Sequence, residues 1–167
     1  MTAFFDIETL GLNPYQSRLI LIQLSHERSI QLWRGWETEE REMIAGFLEA
    51  LDSLPRNEVV VGFNILKFDL PFIAGRLTIH HRMDCPTHQR LYDRHWFDLF
   101  QFLGGEYRSM DYWISKYDIR RDCPYTGRDI PLLFERGEYD KVEAHGVEDI
   151  MLCELLYNKL ASVEVSH

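Results

Sequence analysis

An apolar segment near the start of the chain, TAFFDIETLGLNP (residues 2–14), contains two acidic residues. Its composition is typical of a β-strand followed by a turn. Successive side chains of a strand point to opposite faces of a sheet, so Asp6 and Glu8 would share one face and Phe5 and Ile7 the other. Two neighbouring carboxylates repel each other, and their burial is costly unless cations compensate them. Either this face is open to water, as on an edge strand, or it binds metal ions.

The size and composition of the chain indicate one globular domain over residues 1–167. Of these residues 46% are hydrophobic and 27% charged, and a chain of this length can bury one hydrophobic core. The apolar run in the second predicted strand is far too short to span a membrane, and no signal-like segment precedes it. The three cysteines are widely separated and odd in number, which is not typical of a disulfide framework. We therefore expect a cytoplasmic domain without membrane contact.

Hydrophobic patterning predicts an α/β domain. Three short strands with turn-rich connections, over residues 2–8, 18–25 and 29–34, are typical of an antiparallel meander. The β-branched run at residues 58–64 has the pattern of a buried strand. A helical crossover before this run would place it parallel to a neighbouring strand.

Helices are predicted in five regions. The first spans residues 38–54, with Thr38 as its N-cap, and a second begins near residue 67. Residues 109–119 have a helical pattern, residues 129–141 contain a short helix, and the last helix spans about residues 139–160. Residues 95–105 fit either a strand or a short helix, and the polar segment before them fits no regular pattern.

The last predicted helix carries one stripe of residues at spacings of three and four. These are Val142, His145, Asp149, Leu152 and Leu156. Such a stripe lies on one helical face and normally faces the core. Asp69 likewise follows the buried-looking strand, within NILKFDLPF. Singly, Asp69 could be a charge at a helix N-terminus, His145 a core histidine and Asp149 an ion-pair partner; together with Asp6 and Glu8, they indicate acidic side chains that converge on cations.

Three motifs in this order resemble the DEDD (DnaQ-like) superfamily of 3′–5′ exonucleases, which has the ribonuclease-H-like fold. The Asp-x-Glu of FDIETLG matches the first motif, NILKFD (residues 64–69) the second and HGVED (residues 145–149) the third. The match extends over about residues 3–160, and its last part looks closest to the exonuclease domains of family-B DNA polymerases. The resemblance implies a mixed five-stranded sheet, with three antiparallel strands and then parallel strands, flanked by helices.

The resemblance also implies a metal-dependent 3′–5′ exonuclease that hydrolyses single-stranded DNA or RNA ends to nucleoside 5′-monophosphates. Asp6, Glu8, Asp69 and Asp149 would bind two Mg²⁺ or Mn²⁺ ions, hard cations that prefer oxygen ligands. His145 would accept a proton from the attacking water, since histidine changes its charge near neutral pH. These five are the predicted catalytic residues.

The third motif departs from the histidine branch of the superfamily in its spacing. His145 precedes Asp149 by four residues, as the tyrosine of the other branch does, whereas the histidine branch has one residue more. Four residues bring the two side chains nearly in line along a helix. The position of His145 relative to the metals is therefore expected to differ from that branch.

By the same resemblance, four residues next to the motifs are predicted to bind the terminal nucleotide: Thr9, Leu10, Asn64 and Phe68. Aromatic side chains such as Phe68 can stack on single-stranded bases, although core packing is the simpler interpretation of most aromatics here. The predicted partner is single-stranded nucleic acid with a 3′ end. The net charge of −9 is opposite to the usual basic footprint, but metal ions bound to the carboxylates would offset part of it.

Basic residues after the second motif indicate either a local edge for phosphate contact or a solvated face. They are Lys67, Arg76, Arg82, Arg90 and Arg94. The nearby cluster of His80, His81, Cys85 and His88 lacks the paired spacing of a zinc site, so solvent-facing histidines are the simpler interpretation.

Two other functions remain open at this point. One is a catalytically silent nucleic-acid-binding or adaptor domain with the same fold, and the other is an unrelated metal hydrolase with a small substrate. Retention of the acidic residues favours an active enzyme over a silent domain.

Overall fold

One mixed sheet forms the centre of the protein in the computed structural model, which describes residues 2–80, 84–105 and 108–163. Its strands are β1 (Thr2–Thr9), β2 (Leu19–His26), β3 (Ser29–Arg34), β4 (Val59–Gly62) and β5 (His95–Asp98). Their order is β3-β2-β1-β4-β5. The first three strands are antiparallel, β4 runs parallel to β1, and β5 runs parallel to β4. The sheet confirms the predicted ribonuclease-H-like α/β architecture.

The described helices flank this sheet. They are α1 (Glu40–Ser53), α2 (Asp69–Ile79), α3 (Cys85–Tyr92), α4 (Leu99–Phe102), α5 (Met110–Lys116), α6 (Ile130–Glu135) and α7 (Tyr139–Val163). None of them is long and apolar enough to cross a membrane, within the ranges that the structure describes.

Two details of the helix prediction were wrong or incomplete. Helix α1 begins two residues later than predicted, with Glu39 as its N-cap, because the Thr38 hydroxyl bonds to the Glu42 carboxylate instead. The ambiguous segment after residue 94 forms both a strand and a helix. The change occurs at Asp98, whose side chain accepts the Phe100 amide hydrogen and caps α4.

The alternating side chains of β1 point into two different helical layers. Phe5 and Ile7 pack with α1 and α2, and the Phe5 ring stacks on Phe47 of α1 at 4.9 Å between centroids. Phe4, on the opposite face, packs with α7 residues such as Ile150. Because strand side chains alternate, Asp6 and Glu8 share the face of Phe4 and point toward α7.

A buried ion pair anchors the loop that follows the acidic end of β1. Arg76 of α2 binds both oxygens of Glu40 at 2.6 and 2.8 Å and donates to the Pro14 carbonyl at 2.7 Å. The same carboxylate accepts the Leu19 amide hydrogen at 2.7 Å. Pro14 also packs closely on Gly75, where a Cβ would lie 2.7 Å from the proline ring. The loop of residues 10–18 is therefore tied to α1 and α2.

The basic residues considered for a phosphate-binding edge have partners inside the protein. Arg76 is buried with Glu40, Arg90 pairs with Asp52, and Arg94 donates to carbonyls at the end of α1. The ammonium group of Lys67 lies over the Phe100 ring. Arg82 lies outside the described residues. Arg76 and Arg94 therefore support the fold, whereas Lys67 and Arg90 are exposed, and a role in phosphate contact stays a prediction for them.

Candidate active site

The acidic pair on β1 lies in the middle of the sheet and not at its edge. Strand β1 has β2 on one side and β4 on the other, so the interpretation as a solvated edge strand was wrong. Glu8 is only 6% exposed and Asp6 is partly buried. Asp6 lies opposite Gln23 of β2 in the antiparallel register, and the Gln23 side-chain amide is 3.5 Å from an Asp6 oxygen.

Asp69 enters the same region from the start of α2. It is the first residue of that helix and is 3% exposed. It therefore lies at the helix N-terminus, as one of the two interpretations expected, although burial opposes the negative charge that the helix dipole favours there. Asp69 is also close enough to Asp6 that its charge raises the pKa of the Asp6 carboxyl.

Helix α7 supplies the histidine and the fourth carboxylate. His145 Nε2 lies 3.6 Å from Glu8 Oε1 and 3.6 Å from Asp149 Oδ2. One ligand atom from each of these three residues lies within 4.8 Å of the others. His145 is 3% exposed, and its Nδ1 forms no hydrogen bond within the described ranges. The in-line spacing seen in the sequence therefore brings both side chains to the acidic end of β1.

The approach of α7 to the sheet depends on Gly146. A Cβ at this position would collide with the side-chain amide of Gln23, the partner of Asp6. With glycine there, α7 packs directly on β2 at the level of the acidic pair. The residue next to the candidate base is thus small because the helix lies against Gln23.

Burial and mutual repulsion raise the pKa values of the acidic side chains in the absence of metal. Burial raises the pKa of Asp69 to about 8, with the charge of Asp98 adding to the effect. Burial also raises the pKa values of Asp6, Glu8 and Asp149, and neighbouring carboxylates raise those of Asp6 and Glu8 further. An acidic cluster with pKa values raised in this way is an electrostatic site that a divalent cation would stabilise.

Arg121 pairs with Asp149 of the acidic site and with the neighbouring Glu148. No sequence pattern indicated these contacts of Arg121. Its Nη1 lies 2.5 Å from Asp149 Oδ1 and 3.2 Å from Glu148 Oε2, and its Nε lies 2.8 Å from Asp111. Glu148 also accepts the backbone amides of residues 122 and 123. No periodicity marks Arg121, because it follows α5 in a loop of irregular structure.

The four predicted nucleotide-binding residues lie next to Glu8 or shortly before Asp69 in the sequence. In the structure each of them has a contact or a conformation that needs no substrate to explain it. The Thr9 hydroxyl donates to the Gly11 carbonyl at 2.8 Å, and Leu10 packs against the apolar cluster of α6 and α7. Asn64 has a φ of 65° in the loop before α2, and the Phe68 ring contacts Phe72 at 5.6 Å between centroids. Their role in substrate binding stays a prediction.

The histidine and cysteine cluster around α3 does not form a metal site among the described residues. His80 Nε2 lies 2.9 Å from Glu40, the His88 ring packs on Tyr92, and Cys85 is exposed. His81 lies outside the described residues. The described members of the cluster thus have structural contacts or face the solvent.

Comparison with known proteins places this geometry in a family. A family model described as RNase_H superfamily (RNase_H_2) matches residues 3–161. An uncharacterized protein of Methanocaldococcus jannaschii is 30% identical over an alignment of 182 residues, which covers 95% of this chain and 88% of the relative. The solved structure of the family B DNA polymerase from the hyperthermophilic archaeon Pyrobaculum calidifontis matches with a TM-score of 0.78 and 16% identity.

The match to the polymerase covers 96% of this chain but only 24% of the polymerase chain. At this level of identity the likeness shows the fold alone, a ribonuclease-H-like sheet with its flanking helices. The family match, by contrast, extends over nearly the whole chain and includes Asp6, Glu8, Asp69, His145 and Asp149. The chain therefore belongs to the RNase_H superfamily.

Proposed function

We propose that the protein is a metal-dependent 3′–5′ exonuclease that shortens single-stranded DNA or RNA and releases nucleoside 5′-monophosphates. One observation carries the proposal: carboxylates from β1 and α7 lie beside the buried His145, and the charge of Asp69 at the start of α2 acts on the acidic pair of β1. Membership of the RNase_H superfamily supports nuclease chemistry.

The side chains of the site fit divalent cations. Glu8 and Asp149 offer oxygens beside the His145 ring, and the charges of Asp6 and Asp69 act on the same cluster. Carboxylate oxygens are preferred ligands of Mg²⁺ and Mn²⁺. When bound, two such ions would stabilise the negative charge that develops during displacement at phosphorus. We expect Asp6, Glu8, Asp69 and Asp149 to hold them.

His145 would accept a proton at Nε2, which lies 3.6 Å from an oxygen of Glu8 and 3.6 Å from an oxygen of Asp149. In the proposed reaction, the oxygen of a water molecule bonds to the terminal phosphorus. The bond from this phosphorus to the 3′ oxygen of the preceding nucleotide breaks. The proton of the attacking water passes to His145, and the leaving oxygen takes a proton from the solvent.

The test is an assay on single-stranded DNA and RNA labelled at the 3′ or the 5′ end, after removal of metal with EDTA. Restored Mg²⁺ or Mn²⁺ should release labelled mononucleotides from the 3′ end at once, whereas the 5′ label should shift through a ladder of shortened strands. No shortening of either polymer with either metal would contradict the proposal.

If neither polymer is shortened, two further measurements, of strand binding and of mononucleotide-ester turnover, would favour other functions. The Arg121 contact with Asp149 is the observation that favours a silent nucleic-acid-binding domain, because it gives one site carboxylate a protein partner. Strand binding without cleavage would support that function. Turnover of mononucleotide esters without shortening of polymers would instead support a hydrolase of small substrates.

Replacement of His145 by glutamine is expected to lower kcat by about 10²-fold or more, because proton transfer by a positioned base contributes at least this much. The measurement is kcat together with the Kd for Mn²⁺. A lower kcat at unchanged Mn²⁺ affinity supports the role of base. A weaker Mn²⁺ affinity with kcat restored at saturating metal would show that His145 is a ligand instead.

A further inference from the structure

Asp98 is a buried carboxylate that the proposed reaction does not use. It ends β5, lies opposite Gly62 of β4, and is 5% exposed. Its Oδ1 accepts the amide hydrogens of Asn64 and Phe100 at 2.8 and 3.0 Å, and its Oδ2 accepts that of Leu66 at 3.1 Å. Because backbone amides occupy both oxygens, Asp98 is fitted to hold the main chain and not to bind a metal ion.

Two of these amides belong to the segment that joins β4 to α2, residues 63–68, here called the β4–α2 loop. Asn64 adopts a φ of 65°, a left-handed conformation that asparagine adopts more readily than most other non-glycine residues. Its carbonyl accepts the amides of Lys67 and Phe68 at 3.2 and 3.0 Å. The loop therefore turns tightly at Asn64, where Asp98 binds it, and leads directly into α2.

The start of α2 depends on this loop for its position. Phe68 occupies the N-cap position and provides no side-chain cap, so the backbone bond from the Leu70 amide to the Ile65 carbonyl, 3.0 Å, joins the first turn to the loop. Asp69 is the first residue after this cap. A shift of the β4–α2 loop would therefore move the Asp69 carboxylate relative to β1.

We propose that Asp98 is a positioning residue of the acidic site, which holds the β4–α2 loop so that Asp69 meets the acidic pair of β1. This inference rests on the metal-binding role proposed above for Asp69. Groups that orient a ligating carboxylate typically change metal affinity by about 10- to 100-fold when they are removed. Asp98 would act in this way through three backbone bonds and without contact with metal or substrate.

The test compares Mn²⁺ binding, followed by electron paramagnetic resonance, in the wild-type protein and in the Asp98→Asn and Asp84→Asn variants. Asn at position 98 keeps one acceptor but turns the other oxygen into an amide donor that faces the Leu66 amide. The Kd for Mn²⁺ should rise at least about tenfold. Asp84→Asn is the matched control, because Asp84 also accepts a backbone amide, that of Thr87 at 2.8 Å, but at the start of α3.

The outcomes separate this inference from the proposed function. Wild-type protein that binds no Mn²⁺ would overturn the role of Asp69 and the inference with it. Wild-type affinity in a folded Asp98→Asn variant would overturn the inference alone, because the residue would then be purely structural. Asp98→Glu keeps the charge, which also acts on Asp69, but displaces both oxygens by one methylene. A raised Kd for Mn²⁺ in this variant supports the positioning role, and wild-type affinity overturns it, also where Asp98→Asn does not fold.

Discussion

The Asp6→Asn variant is expected to release nucleotides at least about 10³-fold more slowly than the wild-type protein, a loss of about 4 kcal/mol in transition-state stabilisation. Asparagine keeps the shape of the side chain but removes the charge that would hold a divalent cation at the central strand. The measurement is the initial rate of 3′-end release at saturating Mn²⁺, with both proteins purified in parallel so that a contaminating nuclease is recognised.

The same substitution should stabilise the protein when metal is absent. Burial raises the pKa of Asp6, and Asp69, Glu8 and Asp149 raise it further by repulsion, so the loss of the Asp6 carboxylate relieves an unfavourable interaction. A higher Tm in EDTA together with a lost rate would exclude misfolding as the cause of inactivity. An active Asp6→Asn variant would contradict the proposed site.

Glu143→Gln is a suitable control for this comparison. Glu143 also lies on α7, but it pairs with Arg34 of β3 at 2.5 Å and is part of the protein surface. Its substitution should leave the rate of nucleotide release within a few-fold of the wild-type rate, since a partly exposed ion pair contributes little. A large loss of rate in this control would show that any change on α7 impairs the site.

Local sequence patterns were sufficient to predict the strands and helices whose hydrophobic residues repeat at a regular spacing. The alternation along β1 placed Asp6 and Glu8 on one face, and the stripe on α7 placed His145 and Asp149 on one face. Such patterns depend on backbone geometry alone, so they can be recognised without knowledge of the tertiary structure. The resemblance to the exonuclease motifs then predicted that the two faces meet. In the structure, one ligand atom each of Glu8, His145 and Asp149 lies within 4.8 Å of the others.

Contacts between distant segments could not be predicted in this way. Arg121 and Asp98 lie in sequence contexts without periodicity, and each owes its contacts to elements far away in the chain. Arg76 was interpreted as a candidate phosphate contact because a lone arginine has no sequence signature for its partner. Its partner Glu40 lies 36 residues away, and only the packing of α1 against α2 brings the two together.

The metal-free protein is expected to lose stability as the pH rises from about 5 to about 8. An unfolded aspartate has a pKa near 3.9, whereas burial raises the pKa of Asp69 to about 8 in the folded protein. Between these two values the folded state binds more protons than the unfolded state, so the free energy of unfolding falls as the pH rises. The raised pKa values of Asp6, Glu8 and Asp149 act in the same direction.

Other carboxylates act in a different pH range. Burial alone would raise the pKa of Glu40, but hydrogen bonds from Arg76 and His80 lower it, and the bond from Arg34 lowers the pKa of Glu143. Their stabilising contribution is lost only in acid, as the pH falls below the ordinary range of a glutamate. A scan that starts at pH 5 therefore excludes these two carboxylates. Histidines also change their charge in this range, so the comparison with an Asp69 variant isolates the acidic site.

The measurement is the Tm in EDTA at several pH values between 5 and 8, repeated with Mn²⁺. The pKa shift of Asp69 alone, from about 3.9 to about 8, corresponds to about 3–4 kcal/mol between pH 5 and pH 8. Each kcal/mol shifts the Tm of a protein of this size by about 2–4 °C, so a fall on the order of 10 °C in EDTA is expected. Mn²⁺ at about 100 times its Kd should raise the free energy of unfolding by about 2.7 kcal/mol at pH 8. The increase should be much smaller at pH 5, where protons compete for the same oxygens.

The Asp69→Asn variant should show a flatter dependence of Tm on pH in EDTA than the wild-type protein. A wild-type Tm that stays constant over this range would mean that the carboxylates are ionised without cost, and the electrostatic reason for metal binding would be lost.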